Sequence, residues 1–327
     1  DTIVVHDPFW TASARHADIV MPSTITLERN DIGGANSDAY LAAMRQVVAP
    51  HAQARNDYES FSDLASALGV ADAFTESLDE MGWLRRLYGT WLEHARQHGY
   101  VFPEFDQFWS EGVLELPFDE GRNLFGAFIE DPEAAPLTTP SGRIELFSDT
   151  IAGFGYDDCP GHPAWLEPSE WLGGQRAQEF PLLMIANNPR ARLHSQLDVG
   201  DHSQASKVQG REPARLHPDD AAARGIADGE VVRVFNDRGS FLAGAVLSAN
   251  MRPRVMQVST GAWHDPLDPS DPDSMCVHGN PNVLTLDRGT SKLAQGCVGQ
   301  RVLVDVERWH GPLPPITVTA PPPIEAG

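Results

Sequence analysis

From residue 180 the chain becomes a series of short apolar runs separated by turn residues, and no other feature limits its fold so tightly. "FPLLMIA" (180–186), "RVMQVSTG" (254–261) and "RVLVDVERW" (301–309) are strand-length and rich in β-branched residues. "DGEVVRVFNDRGSFLAGAVLS" (228–248) reads as a hairpin: an Asp-Gly turn, a strand, the turn "NDRG" and a second strand. "HPDDAAARG" (217–225) is a short helix with Pro218 in its first turn and Gly225 at its end. Together they predict a closed, mostly β domain with one or two short helices. The Pro-rich tail, 311–327, is expected to be loose.

The first half has a different pattern. "TIVVHD" (2–7) predicts a buried strand, "WTASARHA" (10–17) a short helix, and "DIVMPS" (18–23) a second strand closed by a proline. Strand, helix and strand in this order form a β-α-β unit, usually part of a parallel sheet. "NDYESFSDLASALG" (56–69) carries apolar residues at 58, 61, 64, 65 and 68, which is helical spacing, with Asn56 or Asp57 as cap and Gly69 as stop. "LDEMGWLRRLYGTWLEHARQHG" (78–99) is a second amphipathic helix and "FPEFDQFWSEG" (102–112) a short one. "LTTPSGRIELFSD" (137–149) is a turn followed by the strand "RIELFS". Residues 153–177, with many Gly, Pro and Trp, read as a long surface connection. The expected organisation is an α/β domain over 1–152, the connection 153–177, a β-barrel domain over 178–310 and the tail. The chain opens at "DTIVVHDPFW", inside a strand and without Met, which reads as a piece of a longer protein. Its compartment therefore stays open between periplasm and cytoplasm.

Composition excludes several classes. The net charge of −22 over 327 residues argues against nucleic acid, whose phosphates need a basic surface. No apolar run reaches the about 18 residues of a membrane span. Cys159, Cys276 and Cys297 lie far apart and outside any C-x-x-C pair, against a disulfide framework, an iron–sulfur cluster or structural zinc. Neither a dinucleotide fingerprint, a P-loop nor H-E-x-x-H is present. "DPLDPSDPD" (265–273) has the charge of a calcium loop but lacks its Gly and closing Glu.

Polar residues collect where strands end. Asp7 closes the first strand, Arg29 in "ERND" follows the second, and Asp57 begins a helix; ligands of open parallel sheets sit at this edge. Each has a plainer reading: a turn residue, a solvated loop and a helix cap. "NNPRARLHSQLD" (187–198) sets amides, arginines, a His and a Ser directly after a strand, as a polar, anionic ligand requires. "NVLTLDRGTSKLAQGCVGQ" (282–300) is a second donor-rich stretch, where backbone at Gly296 and Gly299 permits close approach.

These stretches, with "FWTASARHADIVMPSTITLERNDI" (9–32), "DEMGWLRRLY" (79–88) and "RVFNDRGSFLAGAV" (233–246), resemble the C-terminal part of the molybdopterin oxidoreductases, in particular the dimethyl sulfoxide, trimethylamine N-oxide and biotin sulfoxide reductases. The resemblance spans residues 1 to 309. It implies a partial Rossmann-like parallel sheet domain, incomplete at its N-terminus and holding a guanosine end, followed by a double-psi β-barrel. It implies bis-molybdopterin guanine dinucleotide with molybdenum as the cofactor. Asp7, Arg29 and Asp57 would meet a guanosine. Asn187, Asn188, His194, Ser195 and Gln196 would line pterin and pyrophosphate, and Asn282, Gly299 and Gln300 would approach from another surface. Asn188 departs from the His expected there, and an amide does not carry a proton as imidazole does. The implied reaction is removal of oxygen from S-oxides or N-oxides, with electrons from a donor protein such as a c-type cytochrome. The metal ligand would lie in an N-terminal half outside these residues, so no catalytic or metal-ligating residue is assigned and the fragment alone is expected to be inactive. Formate- or nitrate-type chemistry, or a non-catalytic cofactor-binding module, are the alternatives.

Overall fold

The computed structural model describes residues 1–35, 38–117, 123–296 and 301–322. They divide into two units, Asp1–Glu130 and Asp131–Gly327.

In the first unit, β1 (Val4–Asp7) and β2 (Ile19–Pro22) pair in parallel, Val4 opposite Ile19 and Asp7 opposite Pro22. The crossover helix is one turn, Ala12–Arg15, whose N-cap Thr11 accepts from the Ala14 amide at 3.3 Å. The β-α-β unit is present, but β1 is not the buried strand its composition suggests. Ile3, Val4 and Ile19 are 52%, 54% and 49% exposed, because β1 has a single strand neighbour among the described residues.

Three short strands, β3 (Asp31–Gly33), β4 (Tyr40–Met44) and β5 (Val113–Glu115), form an antiparallel sheet that the sequence does not signal, since none is long enough to show alternation. The expected helices are present with trimmed ends, at Asp57–Ala67, Glu80–Gln97 and Phe105–Glu111. Leu84, Tyr88 and Leu92 pack on Phe105 and Phe108, with the Tyr88 and Phe108 rings stacked at 4.6 Å. Burial pushes the Tyr88 phenol up to about 12, and its O–H donates to the Pro103 carbonyl at 2.8 Å.

The second unit is built on a closed barrel of β6 (Leu182–Ile185), β7 (Pro213–Leu216), β8 (Val231–Asn236), β9 (Gly239–Leu247), β10 (Val255–Val258) and β11 (Arg301–Arg308), in the order β10-β6-β11-β8-β9-β7. β7 closes the ring against β10. The pairs β6/β10 and β7/β9 are parallel and the others antiparallel. The predicted hairpin is β8–β9, with Asn236 opposite Gly239 across a two-residue turn. Only β7 lacks a sequence signal, because it is short and opens with a proline. The interior is a continuous apolar cluster including Met184, Leu216, Val234, Phe241, Met256 and Val304.

Three expectations are corrected in this unit. "RIELFS" forms no strand: no described neighbour offers it a ladder, and Ile144 and Leu146 are 71% and 77% exposed. Within the connection, Glu170 is buried, accepting from both terminal nitrogens of Arg238 at 2.7 and 3.2 Å and from the Leu303 amide at 2.7 Å. The tail is fastened at Thr317 and Val318 rather than loose there, because the buried Asp265 carboxylate accepts from the Thr317 amide and hydroxyl and from the Val318 amide at 2.6, 2.6 and 2.9 Å. Among the described residues, no helix is long and apolar enough to cross a membrane.

Phe241→Ala is expected to cost about 3–5 kcal/mol in urea unfolding, because it empties the barrel centre. Leu267→Ala, at a position 53% exposed, is expected to change the midpoint little.

Candidate cofactor-binding surfaces

In the first unit three parallel segments end at one sheet edge. Beyond β1 and β2, a third segment joins where Arg55 N–H donates to the Pro22 carbonyl at 3.0 Å and Ser23 bridges Arg55 in parallel. Asp7 and Asp57 therefore leave their segments on the same side. His6 ties this edge together: its Nδ1 lies 2.8 Å from Asp57 Oδ1. The cap of the following helix is Asn56, which accepts from the Tyr58 amide at 2.9 Å. Asp57 is thus released from capping, and its carboxylate is 62% exposed. Asp7 Oδ1 accepts from the Phe9 amide at 2.8 Å. Arg29 donates to the Thr24 carbonyl at 3.1 Å and lies 3.5 Å from Asp31, which holds its guanidinium beside the end of β2. His6 Nε2 and Thr24 Oγ1 are buried without a partner, so this edge keeps unsatisfied polar atoms.

In the second unit the stretch 187–198 leaves β6 as a tight loop. Asn187 is a brace: its Oδ1 accepts from Gln257 Nε2 at 2.5 Å and its carbonyl accepts from the Thr260 amide at 2.9 Å. The side chains of Asn188, His194, Ser195 and Gln196 are exposed and make no hydrogen bond to any described residue. His194 and Leu197 take left-handed backbone, φ 51° and 56°, a conformation such residues adopt only when surroundings impose it.

The imposing structure is a buried ion network beneath the loop. Lys207 Nζ lies 2.8 Å from Asp198 Oδ1 and 3.1 Å from Glu212 Oε2, and Arg192 reaches the same two carboxylates at 3.4 and 3.1 Å. These four side chains are at most 3% exposed, and their charges balance. Burial alone would push the Asp198 carboxyl up. Lys207, the Trp263 amide and His278 together outweigh it and hold that carboxyl below its ordinary value. Burial, reinforced by Lys207, lowers His278 to about 4. His278 is therefore neutral near pH 7, and its Nδ1–H donates to the Trp263 carbonyl at 3.0 Å. Arg192 Nε donates to the His194 carbonyl at 3.0 Å, and the Trp263 indole donates to the Ser195 carbonyl at 2.8 Å. Gly261, at φ +89°, lies so close to the loop that a Cβ there would collide with the His194 carbonyl oxygen.

The other predicted stretch lines a cavity of about 670 Å³ through Arg288 and Thr290, which Arg301 just beyond it also lines, together with Asp157, Asp158 and Glu167. Asn282 is exposed with its side-chain amide unbonded to any described residue, while Gly299 and Gln300 lie outside the described residues. Arg301 stands opposite Ile185, so the chain enters β11 beside the point where it leaves β6. Sequence reasoning missed Lys207, Glu212, Gly261 and His278: they are scattered, and no spacing relates them. Cys159 and Cys276 are free thiols, and Cys297 is outside the described residues.

Two family models match the chain. Residues 1–67 match the molybdopterin oxidoreductase model, and residues 182–302 match the molydopterin dinucleotide binding domain. A dimethyl sulfoxide/trimethylamine N-oxide reductase of Cereibacter sphaeroides is 50% identical over 98% of this chain and 39% of its own length. A biotin sulfoxide reductase of the same organism is 46% identical over 95% and 41%. Trimethylamine-N-oxide reductase 1 of Escherichia coli K12 is 44% identical over 97% and 38%. The chain thus spans about two fifths of the length of the curated relatives it matches. The solved structure of acetylene hydratase from Pelobacter acetylenicus superposes with a TM-score of 0.69 at 21% identity, over 94% of this chain and 40% of that one, a likeness of fold.

Gly261→Ala is expected to displace the loop, read as faster tryptic cleavage after Arg190, and to cost about 2 kcal/mol or more. The network also predicts a pH dependence. The unfolded chain protonates His278 near 6.5 and the folded chain only near 4, so about 3 kcal/mol of stability present above pH 6.5 is lost as pH falls to 4. His278→Asn, which keeps a donor for the Trp263 carbonyl, is expected to flatten the melting temperature between pH 7 and 4.

Proposed function

We infer the function from one premise, that the chain belongs to the molybdopterin oxidoreductase family and carries its dinucleotide-binding domain. We propose that it is the cofactor-holding part of a molybdenum-dependent reductase that removes oxygen from S-oxides or N-oxides: dimethyl sulfoxide, trimethylamine N-oxide, or biotin or methionine sulfoxide. The observation that carries the reading is the loop of Asn188, His194, Ser195 and Gln196. Its donors are left unbonded while its backbone is fixed from below.

The residues present fit bis-molybdopterin guanine dinucleotide. Asp57, with its exposed carboxylate, would accept from a guanine N1–H and N2–H, while Asp7 and Arg29 would hold the adjoining ribose. Unpartnered His6 Nε2 and Thr24 Oγ1 beside them match a polar ligand. Asn188, Ser195 and Gln196 would donate to pterin and pyrophosphate oxygens, and His194 would complete that row. Asn187 would set the loop's exit from β6, and Asn282, Gly299 and Gln300 would approach from the second stretch. The parallel pairs β6/β10 and β7/β9 in an otherwise antiparallel ring support a double-psi barrel. The bound molybdenum dithiolene would supply the oxygen-atom transfer, and this chain would position it and exclude water. The net reaction takes a pair of electrons and a pair of protons, and releases the deoxygenated product and water. The electrons would come from a donor protein such as a c-type cytochrome.

The intact protein, purified from its source, is expected to carry about one molybdenum and about two GMP per chain after acid hydrolysis. Neither metal nor GMP, from cells able to make the cofactor, would remove the reading. No residue here is assigned as a metal ligand, so the 327-residue chain alone is expected to show no turnover with reduced viologen and an N-oxide. Turnover by it would place the ligand within these residues.

A further inference from the structure

A recess of about 540 Å³ opens on the outside of the barrel between residues 189–191, the short helix Asp201–Gln204 and strands β7 and β10. Arg190, His202 and Arg215 line it. Arg215 points outward, since its neighbours Ala214 and Leu216 are fully buried in the barrel. Neither the Arg190 nor the Arg215 guanidinium makes a hydrogen bond or ion pair with any described residue. In this chain of net charge −22, other arginines such as Arg55, Arg85 and Arg224 do find a carboxylate. The one carboxylate lining the recess belongs to Glu212, and Lys207 and Arg192 already neutralise it from below. Uncompensated cations therefore converge on one concave space.

We propose that this recess is an oxyanion site for a small phosphate-bearing molecule. A carboxylate is satisfied by one guanidinium fork, whereas a tetrahedral dianion offers oxygens in several directions and suits two arginines on different elements with an imidazole lining the same space. The hydroxyls of Ser206 and Ser259 line the same space as neutral donors. The volume exceeds what a bare phosphate fills, which leaves room for the group esterified to it.

The site also touches the loop already described. Gln257 stands directly opposite Arg215 in the β7/β10 ladder, and its amide nitrogen donates to Asn187 and to Ser259, at 2.5 and 3.1 Å. An anion drawn to Arg215 meets Gln257, and Gln257 holds the residue from which the loop departs. The inference uses charge and placement alone and does not depend on the molybdopterin reading.

The test is calorimetric titration of the full chain at constant ionic strength, with orthophosphate in one arm and glycerol 3-phosphate in the other. Saturable binding at one site is expected. Arg190→Gln with Arg215→Gln is expected to weaken it about tenfold or more, while Arg252→Gln, an exposed arginine of the same unit outside the recess, shifts it less than about twofold. A thermal melt without phosphate, matching wild type, shows that the double variant is folded. Tighter binding of the ester by about tenfold assigns the site to an esterified phosphate, and equal binding assigns it to the free ion. No saturable binding, equal loss in Arg252→Gln, or no loss in the folded double variant would overturn the proposal.

Discussion

Lys207 holds the second unit's loop in shape, and much of what that unit presents to a ligand depends on it. Its ammonium lies between the carboxylates of Asp198 and Glu212 with none of its side chain exposed. Burying one ion alone would cost several kcal/mol, so the network is tolerable only because Arg192 completes the charge balance. Hydrogen bonds from the Trp263 amide and the Ser203 hydroxyl satisfy Asp198 further. Removing one partner would strand the others in low dielectric, so the cluster behaves as a unit.

That unit converts burial into position. Arg192 and Trp263 both donate to carbonyls of the loop, at His194 and Ser195. The side chains of Asn188, His194, Ser195 and Gln196 are left without partners among the described residues, while the backbone at His194 and Leu197 is held in the left-handed region. A surface loop made of Asn, His, Ser and Gln would ordinarily move and satisfy its own donors. Here the donors stay turned outward because the groups that fix them lie beneath. The sheet edge of the first unit follows the same logic on a smaller scale: Asn56 takes the capping role, and Asp57 keeps an exposed carboxylate oriented by His6.

The barrel was legible in advance because each run carried a local signal. The β8–β9 hairpin had its turn residues, and β6, β10 and β11 were β-branched runs of strand length. β7 was not legible, since four residues starting with proline look like loop until β9 and β10 flank them. The opposite error was "RIELFS", where propensity was right and a ladder partner was lacking. The polar stretch 187–198 stood out because polar residues crowded the end of an apolar run. Its supports did not, because Lys207, Glu212, Gly261 and His278 are ordinary residues individually.

The sequence by itself determined the local elements, the order in which helices give way to strands, and the stretches in which polar side chains crowd together. Those are short-range properties: periodicity, turn chemistry and donor content are written within a dozen residues. Tertiary structure decided which of these residues stay exposed and open and which brace their neighbours. It left the Asn188 side chain without a partner among the described residues and made Asn187 a strut, and it set Arg190 and Arg215 around one recess. Such roles depend on contacts between residues far apart in the chain, on burial that shifts His278 and Asp198, and on backbone crowding at Gly261. None of these exists until the barrel has closed.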